Sequence, residues 1–371
     1  MSKLEQMIAK FCPDGVEYKP LCEVAKISNG RDHKTLPDGE YAVYGSGGIM
    51  RYADQYLYNK PSVLIPRKGS LGNIFFVDTP FWTVDTIFYT VIDENKIVPK
   101  FFYYFITAQH IEDLNQAGGV PSMTKAVLDR IKIPLPPLSI QREIVRILDN
   151  FTELTAELTA ELTAELTARK KQYEYYRDEL LAIGDDVPMV ALGEVAKNLD
   201  SKRKPVTKGK RESGIYPYYG ASGIVDYVKD YIFDGDYLLI SEDGANLVAR
   251  VTPIAFSASG KIWVNNHAHV LQFETYAERK FVEYYLNMID IGRFISTAAQ
   301  PKLTQDNLNK IPVPAPSLAE KARIVAILDK FDTLTTDITD GLPAEIEARN
   351  KQYEYYRDKL LTFKEAGYER I

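Results

Sequence analysis

The sequence contains an internal duplication, and this feature constrains the fold more than any other. The octapeptide KQYEYYRD occurs at residues 171–178 and again, without a change, at 351–358, an offset of 180 residues. The same offset carries the tripeptide ILD at 147–149 onto ILD at 327–329. Two copies of this length are too long for a solenoid repeat and too few for an array. The sequence therefore predicts two homologous halves related by a pseudo-twofold axis.

Each half has a globular segment, a proline-rich hinge and a long helix. The globular segments share YAVYGSGGI (41–49) and YPYYGASGI (216–224), and each hinge precedes apolar residues at helical spacing. Ser139 and Ser317 are the predicted N-cap residues of the two helices. We predict an α+β fold, with two similar mixed α/β domains in a pseudo-twofold arrangement, joined and separated by two long antiparallel helices. The predicted segments are a first domain (1–132), a central helical spacer (133–184), a second domain (185–310) and a distal helical spacer (311–371).

A four-residue unit, TAEL, is repeated within the central spacer at 155–158, 159–162 and 163–166. Ala, Glu and Leu favour helices, so the repeat should continue the helix that begins after the hinge. Its leucines form an apolar stripe that the second half matches at an offset of 180. The two stripes are Leu154, Leu158, Leu162 and Leu166, and Leu334, Ile338, Leu342 and Ile346. Pro343, after Gly341, should kink or interrupt the second helix.

Composition excludes several classes of protein. The chain has 45 Lys and Arg against 51 Asp and Glu, a formal charge of −6, which argues mildly against a protein that grips nucleic acid alone. No apolar run is long enough to span a bilayer, and two cysteines form no disulfide framework. We expect a cytoplasmic protein that does not bind membranes.

The motifs of catalysis are missing. The sequence has no P-loop and no [ND]-P-P-[YF] motif of an amino-methyltransferase. The paired YGSGG and YGASG elements suit tight turns better than a dinucleotide site. His267-x-His269 is too weak a signal for a metal site, and we expect these histidines in a solvated loop. We therefore predict a binding protein with no catalytic residues, no metal and no cofactor of its own.

Opposite charges lie at matched positions of the two halves. IPRKGS (65–70) aligns with ISEDGA (240–245), so Arg67 and Lys68 stand where Glu242 and Asp243 stand. Arginine favours guanine edges or phosphates, whereas a carboxylate accepts from cytosine. A shared framework with divergent side chains would read two different DNA half-sites, although drift in a surface loop would give the same pattern. The predicted DNA-binding residues are Arg67, Lys68, Ser70 and Asn73 in the first half, and Lys202, Arg203, Lys204, Arg211, Glu242 and Asn246 in the second.

The order of these elements closely resembles the specificity subunits of type I restriction–modification enzymes, in particular a branch with TAEL repeats. The resemblance rests on KFCPDGVEYKPL (10–21), the paired glycine turns, IPRKGS, both hinges, TAEL and the doubled KQYEYYRD, and it covers essentially the whole chain. It implies that the chain binds double-stranded DNA and assembles with two methyltransferase subunits and with restriction/translocase subunits. S-adenosylmethionine, ATP and Mg would then lie on those partners, and the partner would methylate adenine flipped out of each half-site.

The duplicated octapeptide would supply two equal docking surfaces for two copies of a partner. The predicted docking residues are Tyr173, Tyr176 and Arg177, and Tyr353, Tyr356 and Arg357. Packing at the buried end of a helix bundle is an equal alternative, and one tyrosine-rich face can serve both purposes.

Two other classes of protein remain open at this point. One is a fused or degenerate restriction–methylation enzyme with its own activity, which the missing motifs disfavour. The other is a pseudo-dimeric repressor that would bind DNA tightly without partners.

Under the favoured interpretation, the number of TAEL units sets the length of the spacer between the two half-sites. One unit adds about 6 Å and turns the helix about 40° beyond a full turn, while one base pair adds about 3.4 Å and roughly 35°.

Overall fold

The computed structural model describes residues 2–115, 119–182, 184, 186–296, 300–336 and 341–367. The chain forms two compact units, Met1–Glu161 with Ile346–Ile371 and Leu162–Glu345. Each unit therefore combines one globular segment with parts of both helical segments. The four-segment division of the chain stays a prediction.

The helices in the described residues are α1 (Lys3–Phe11), α2 (Pro99–Thr107), α3 (Lys125–Leu128), α4 (Leu138–Leu181), α5 (Leu192–Val195), α6 (Asn246–Ala249), α7 (Tyr276–Met288), α8 (Gln305–Asn309), α9 (Leu318–Thr336) and α10 (Leu342–Leu361). None of them is both long enough and apolar enough to span a bilayer.

The strands of the first unit are β1 (Tyr18–Pro20), β2 (Ala25–Asn29), β3 (Tyr41–Gly45), β4 (Gly48–Ala53), β5 (Ser62–Pro66), β6 (Phe75–Val77), β7 (Phe81–Thr83), β8 (Ile87–Ile92) and β9 (Lys132–Pro134). Those of the second are β10 (Met189–Ala191), β11 (Lys197–Asn198), β12 (Ser213–Gly220), β13 (Gly223–Val228), β14 (Phe233–Ser241), β15 (Ala255–Val264), β16 (Ala268–Gln272), β17 (Ile295–Ser296), β18 (Lys302–Leu303) and β19 (Pro312–Pro314).

The two units repeat one sheet topology. The second unit has a six-stranded sheet of order β11-β16-β14-β15-β12-β13, and the first has β2-β8-β5-β6 and β4-β3-β7. The ten-residue strand β15 corresponds to β6 and β7, which are separated by residues 78–80. Proline has no N–H for a ladder and interrupts strands. Pro80 therefore accounts for one continuous sheet in the second unit and two shorter ones in the first.

Each unit has its own apolar core between sheet and helices. In the first unit α2 contributes Phe101, Phe102 and Ile106 to a cluster that also contains Ile144 and Leu148 of α4. In the second unit α7 contributes Phe281 and Leu286 to a cluster with Ile324 and Leu328 of α9. The predicted apolar faces at 144–148 and 324–328 are therefore core positions.

The helix after the first hinge begins one residue before its predicted cap. Ser139 lies inside α4, and the Pro137 carbonyl accepts the first helical hydrogen bonds from the Ile140 and Gln141 N–H groups. The prediction for Ser139 was wrong because Pro137, and not Ser139, is the counterpart of Ser317 at the 180-residue offset. Ser317 does cap α9, since its hydroxyl accepts from the Glu320 N–H at 3.2 Å.

The TAEL repeat lies within α4, an uninterrupted helix of 44 residues. Leu158, Leu162 and Leu166 are half-buried, whereas Leu154 is 63% exposed. The stripe is thus packed only in part within the described residues. In the second half α10 starts at Leu342 with Pro343 in its first turn, where a missing N–H costs little. Ile338 lies outside the described residues.

The duplicated octapeptide packs against the opposite helix within each unit. In the first unit the Tyr356 ring stacks on Phe151 with centroids 6.0 Å apart, and in the second the Tyr176 ring stacks on Phe331 at 5.6 Å. These pairs are equivalent at the 180-residue offset. The repeated sequence therefore builds the same helix–helix contact twice.

Candidate nucleic-acid interface

In the first unit a short loop after β5, residues 67–73, is held from both sides by backbone hydrogen bonds. The Arg67 N–H donates to the Thr86 carbonyl at 2.8 Å, and the Arg67 carbonyl accepts from the Met123 N–H at 2.8 Å. The Gly69 N–H donates to the Pro121 carbonyl at 3.0 Å. Gly69 has a φ of +82°, which favours glycine. The loop backbone is thus fixed while its side chains stay free to vary.

The second unit repeats this scaffold after β14. The Glu242 N–H donates to the His267 carbonyl at 2.9 Å, and the Glu242 carbonyl accepts from the Leu303 N–H at 2.7 Å. The Gly244 N–H donates to the Pro301 carbonyl at 3.1 Å, and Gly244 has a φ of +107°. The aligned IPRKGS and ISEDGA sequences therefore form loops with equivalent backbone hydrogen bonds and different side chains.

The predicted contact residues of the first unit lie together on this loop. The Arg67 guanidinium lies 5.8 Å from the centroid of the Phe88 ring. Lys68 and Ser70 are exposed, and their side chains have no partner among the residues described. The Asn73 side-chain amide donates to the Ser46 carbonyl at 3.2 Å, which joins the loop to the β3–β4 turn. Lys68 and Ser70 are thus the most available groups for a ligand.

The side chains of several predicted contact residues of the second unit already have partners within the protein. Arg203 and Glu242 bind each other, with Nη1 2.5 Å from Oε2, and both are largely buried. The Asn246 amide donates to the Thr252 carbonyl and its oxygen accepts from the Thr252 N–H, each at 3.0 Å. Their roles at DNA stay predictions, but the structure gives each of these side chains an internal partner.

The basic segment 201–211 is mostly exposed. Arg211 stacks 4.3 Å above the Tyr218 ring and pairs with Asp226 at 3.0 Å. Lys202 and Lys204 are exposed, and no partner of their side chains is found in the described part of the chain. These two lysines are suited to phosphate contact, because an ammonium group that is already solvated loses little on binding an anion.

A buried ionic cluster lies below the second loop. Arg203 pairs with Asp200, with Nη2 3.2 Å from Oδ2, and it donates to Glu242. Glu242 also pairs with Lys302 at 3.0 Å. Burial opposes ionisation of both carboxyls, but the hydrogen bonds from His269 to Asp200 and from Arg203 to Glu242 outweigh it. The pKa of each is therefore lowered. Both carboxylates are charged at neutral pH.

The expectation that His267 and His269 share a solvated loop was wrong for His269. His267 is half-exposed and faces Asp243, but His269 lies on β16 and is fully buried. Ligand atoms of Asp200, Glu242 and His269 lie within 4.8 Å of one another, a spacing that could accept a metal ion. Arg203 and Lys302 already neutralise these carboxylates, so the arrangement favours an ionic network over a metal site.

The predicted docking residues take part in packing inside each unit. Tyr173 contacts the second core and Tyr176 stacks on Phe331, while Arg177 lies over the Tyr173 ring. In the first unit the equivalent Tyr353 is half-buried, and the Tyr356 ring stacks on Phe151. The equivalent Arg357 is buried.

Sequence reasoning missed the most exposed aromatic residues of the octapeptide. Tyr175 and Tyr355 are 62% and 61% exposed, and each forms an edge-to-face pair with the next tyrosine. The sequence EYYRD shows two adjacent tyrosines, and helical geometry places only one of them toward a packed neighbour.

Sequence reasoning also missed Lys302. Its side chain is 49% exposed and pairs with Glu242, and its backbone pairs with Asp243 beside the loop. The signal was present, because PSMT (121–124) and PKLT (301–304) match at an offset of 180. Ser122 holds the equivalent place in the first unit, where its backbone pairs with Lys68.

Comparison with known proteins gives one consistent result. A family model described as the type I restriction modification DNA specificity domain matches residues 13–168 and 184–348. The specificity subunit of the type I restriction enzyme EcoR124I/EcoR124II from Escherichia coli is 33% identical over 407 residues, covering 98% of this chain and 97% of that protein. The EcoprrI specificity subunit, also from E. coli, is 34% identical over 302 residues, covering 76% and 74%.

A solved structure supports the fold. A chain from a study of complex assembly and conformational transition in the type I R-M system aligns with a TM-score of 0.65 at 19% identity. The alignment covers 94% of this chain and 98% of that one.

Proposed function

We infer the function of the chain from its family, because it belongs to the type I restriction–modification DNA specificity subunits. It is a DNA-recognition protein with no catalytic role of its own, and a fused or degenerate enzyme is not favoured. We therefore infer that its role is to select a DNA target and to bring to it the subunits that act there.

We propose that each globular segment reads one half of a two-part, asymmetric DNA target. The observation that carries this proposal is the pair of matched loops. Both are fixed by equivalent backbone hydrogen bonds, yet one carries Arg67 and Lys68 where the other carries Glu242 and Asp243. A common framework supports a common docking mode, and different side chains then select different bases.

We propose that α4 fixes the number of unread base pairs between the half-sites. This helix is continuous from Leu138 to Leu181 and contributes residues to both units. One TAEL unit turns the helix about 40° beyond a full turn, close to the roughly 35° of one base pair. Adding or removing one unit should therefore change the spacer and leave both half-sites unchanged.

We propose that two copies of a methyltransferase subunit dock on equivalent surfaces, with restriction/translocase subunits completing the enzyme. Tyr175 and Tyr355 support two equal docking surfaces, since both project from the helix packing at the same place in the repeat. Exposed tyrosines are enriched at protein interfaces. S-adenosylmethionine, ATP and Mg would be bound by those partners, and adenine in each half-site would be methylated.

The test is to map methylated adenines in DNA that has been treated with the chain and its partner subunits. The proposal predicts two different short motifs at one fixed separation, with methylation lost when this chain is omitted. It also predicts no methyl transfer by the chain alone. A single uninterrupted motif, or methylation without partners, would contradict it.

A further inference from the structure

His269 is a fully buried histidine whose two ring nitrogens both face hydrogen-bond acceptors. Nδ1 lies 2.6 Å from Asp200 Oδ2, and Nε2 lies 2.8 Å from the Leu303 carbonyl oxygen. A neutral imidazole carries one N–H and can donate only once. Satisfying both contacts requires a proton on each nitrogen, so the geometry calls for an imidazolium cation.

The cation is held in a closed network of charges. Asp200 accepts from His269 and from the Val270 N–H at 2.9 Å, and it pairs with Arg203 at 3.2 Å. Glu242 lies 3.7 Å from the His269 ring, and it joins Arg203 to the exposed Lys302. Three cations therefore share two carboxylates. One positive charge is therefore in excess. Lys302 can carry it at the surface, because its side chain is half-exposed while the other side chains of the network are largely buried.

The network fixes three segments that meet at the second loop. Arg203 Nη1 donates to the Ala268 carbonyl at 2.8 Å and ties the basic segment to β16. His269 holds β18 through the Leu303 carbonyl, and the Leu303 N–H in turn donates to the Glu242 carbonyl. Moving the imidazole would therefore remove the hydrogen bond that the Leu303 carbonyl accepts and loosen β18, which carries Lys302.

The first unit has no such network at the equivalent place, within the part of it that the structure describes. Ile65 pairs with Phe88 across strands where Ile240 pairs with His269, so Phe88 is the structural counterpart of His269. Asn29 likewise pairs with Phe88 across strands, at the place of Asp200. Here Arg67 lies over an uncharged aromatic ring instead of entering an ion network. The two units thus differ below the loop as well as on it.

We propose that His269 is a positioning residue for the second half-site, and that Lys302 is the base-reading side chain it positions. The proposal rests on the proposed function. Glu242 spans Arg203 and Lys302, so its carboxylate orients the Lys302 ammonium group. A lysine presented in this way recognises acceptor atoms on a base edge, of which the guanine O6 and N7 pair is the best match.

The test compares target preference for the chain assembled with its partner subunits, using DNA randomised in both half-sites. Lys302→Gln removes the reader at an exposed position and should leave folding intact. We expect discrimination at one position of the second half-site to fall on the order of tenfold, with the first half-site and the spacer unchanged. Ser122→Ala, at the equivalent place in the first unit, is the matched control and should leave the second half-site unaltered.

His269→Phe introduces the residue of the first unit and should relax the same position of the second half-site. Because this change removes one of the buried hydrogen-bond partners of Asp200, the double variant Asp200→Asn/His269→Phe is tested beside it. The double variant reproduces the Asn29 and Phe88 pair, so it should recover thermal stability without recovering second-half-site discrimination. Recovery of both would show a merely structural role and overturn the proposal.

A spectroscopic measurement tests the protonation state independently. Proton–nitrogen NMR of the wild-type chain at neutral pH should show N–H groups at both ring nitrogens of His269, and a single N–H would contradict the imidazolium. Unchanged second-half-site preference in folded Lys302→Gln would remove Lys302 as the reader. Absence of any two-part preference in the wild-type complex would instead defeat the proposed function, so the two failures are distinguishable.

Discussion

The salt dependence of DNA binding should depend on two lysines of the second unit. Lys202 and Lys204 are exposed, and the described residues supply no carboxylate partner for either. If each neutralises one phosphate, each contributes about 0.9 to the slope of log affinity against log salt. Replacing both with glutamine should lower the slope by about 1.8. Between about 50 and 200 mM salt, the wild-type complex should then lose about twelvefold more affinity than the variant does.

The measurement is fluorescence anisotropy of labelled target DNA with the complex of this chain and its partner subunits, over a series of salt concentrations. The loss of slope should be the same for specific and non-specific DNA, because phosphate contacts carry no base information. Lys330→Gln, on α9, provides an exposed lysine outside the basic segment as control. An unchanged slope in the double variant would refute phosphate contact by this segment. A loss confined to the specific target would show base reading instead.

Single contacts of the first loop and of the helices lead to three further predictions. Lys68→Glu, at an exposed position of the first loop, should weaken specific binding by about 1–3 kcal/mol if Lys68 contacts a base, measured as Kd on matched and mismatched first half-sites; unchanged affinity and specificity would exclude it. Phe151→Ala removes a half-exposed stacking partner and should lower the free energy of unfolding by about 1–2 kcal/mol, and Phe331→Ala should match it in chemical denaturation if the two contacts are equivalent. Hydrogen bonding from Arg146 lowers the pKa of Glu143 from 4.5 to about 2. The ionised Glu143 carboxylate therefore stabilises the folded state fully above pH 4.5, and this stabilisation is lost as the pH falls toward 2. The Tm of Glu143→Gln should consequently fall less than that of the wild type on acidification, and parallel curves would contradict the assignment.

Repetition made much of the fold predictable from one sequence. The matched octapeptides, hinges and apolar positions located the long helices and both core faces, because equivalent residues in two halves report shared structural need. The predicted α+β class and the internal duplication agree with the family match and with the described sheets. The break between β6 and β7 was less accessible, since Pro80 interrupts only one of the two copies.

The candidate site was predictable in place but not in detail. Aligning IPRKGS with ISEDGA located both loops, and the structure puts them on one backbone framework. Side-chain availability depends on distant residues, and this is where sequence reasoning failed. Glu242 is joined to Arg203, 39 positions away, and His269 is joined to Asp200, 69 positions away. No local pattern reveals such pairs, although comparing His269 with Phe88 would have marked the position as divergent.

If α4 is the spacer between two recognition domains, deleting one TAEL unit should change the distance between the half-sites and nothing else. The chain without residues 159–162, assembled with its partner subunits, would be compared with the wild type by single-molecule sequencing of methylated adenines. We predict the same two half-site sequences, separated by about one base pair fewer. An unchanged spacer with full methylation, or a change in either half-site sequence, would contradict it.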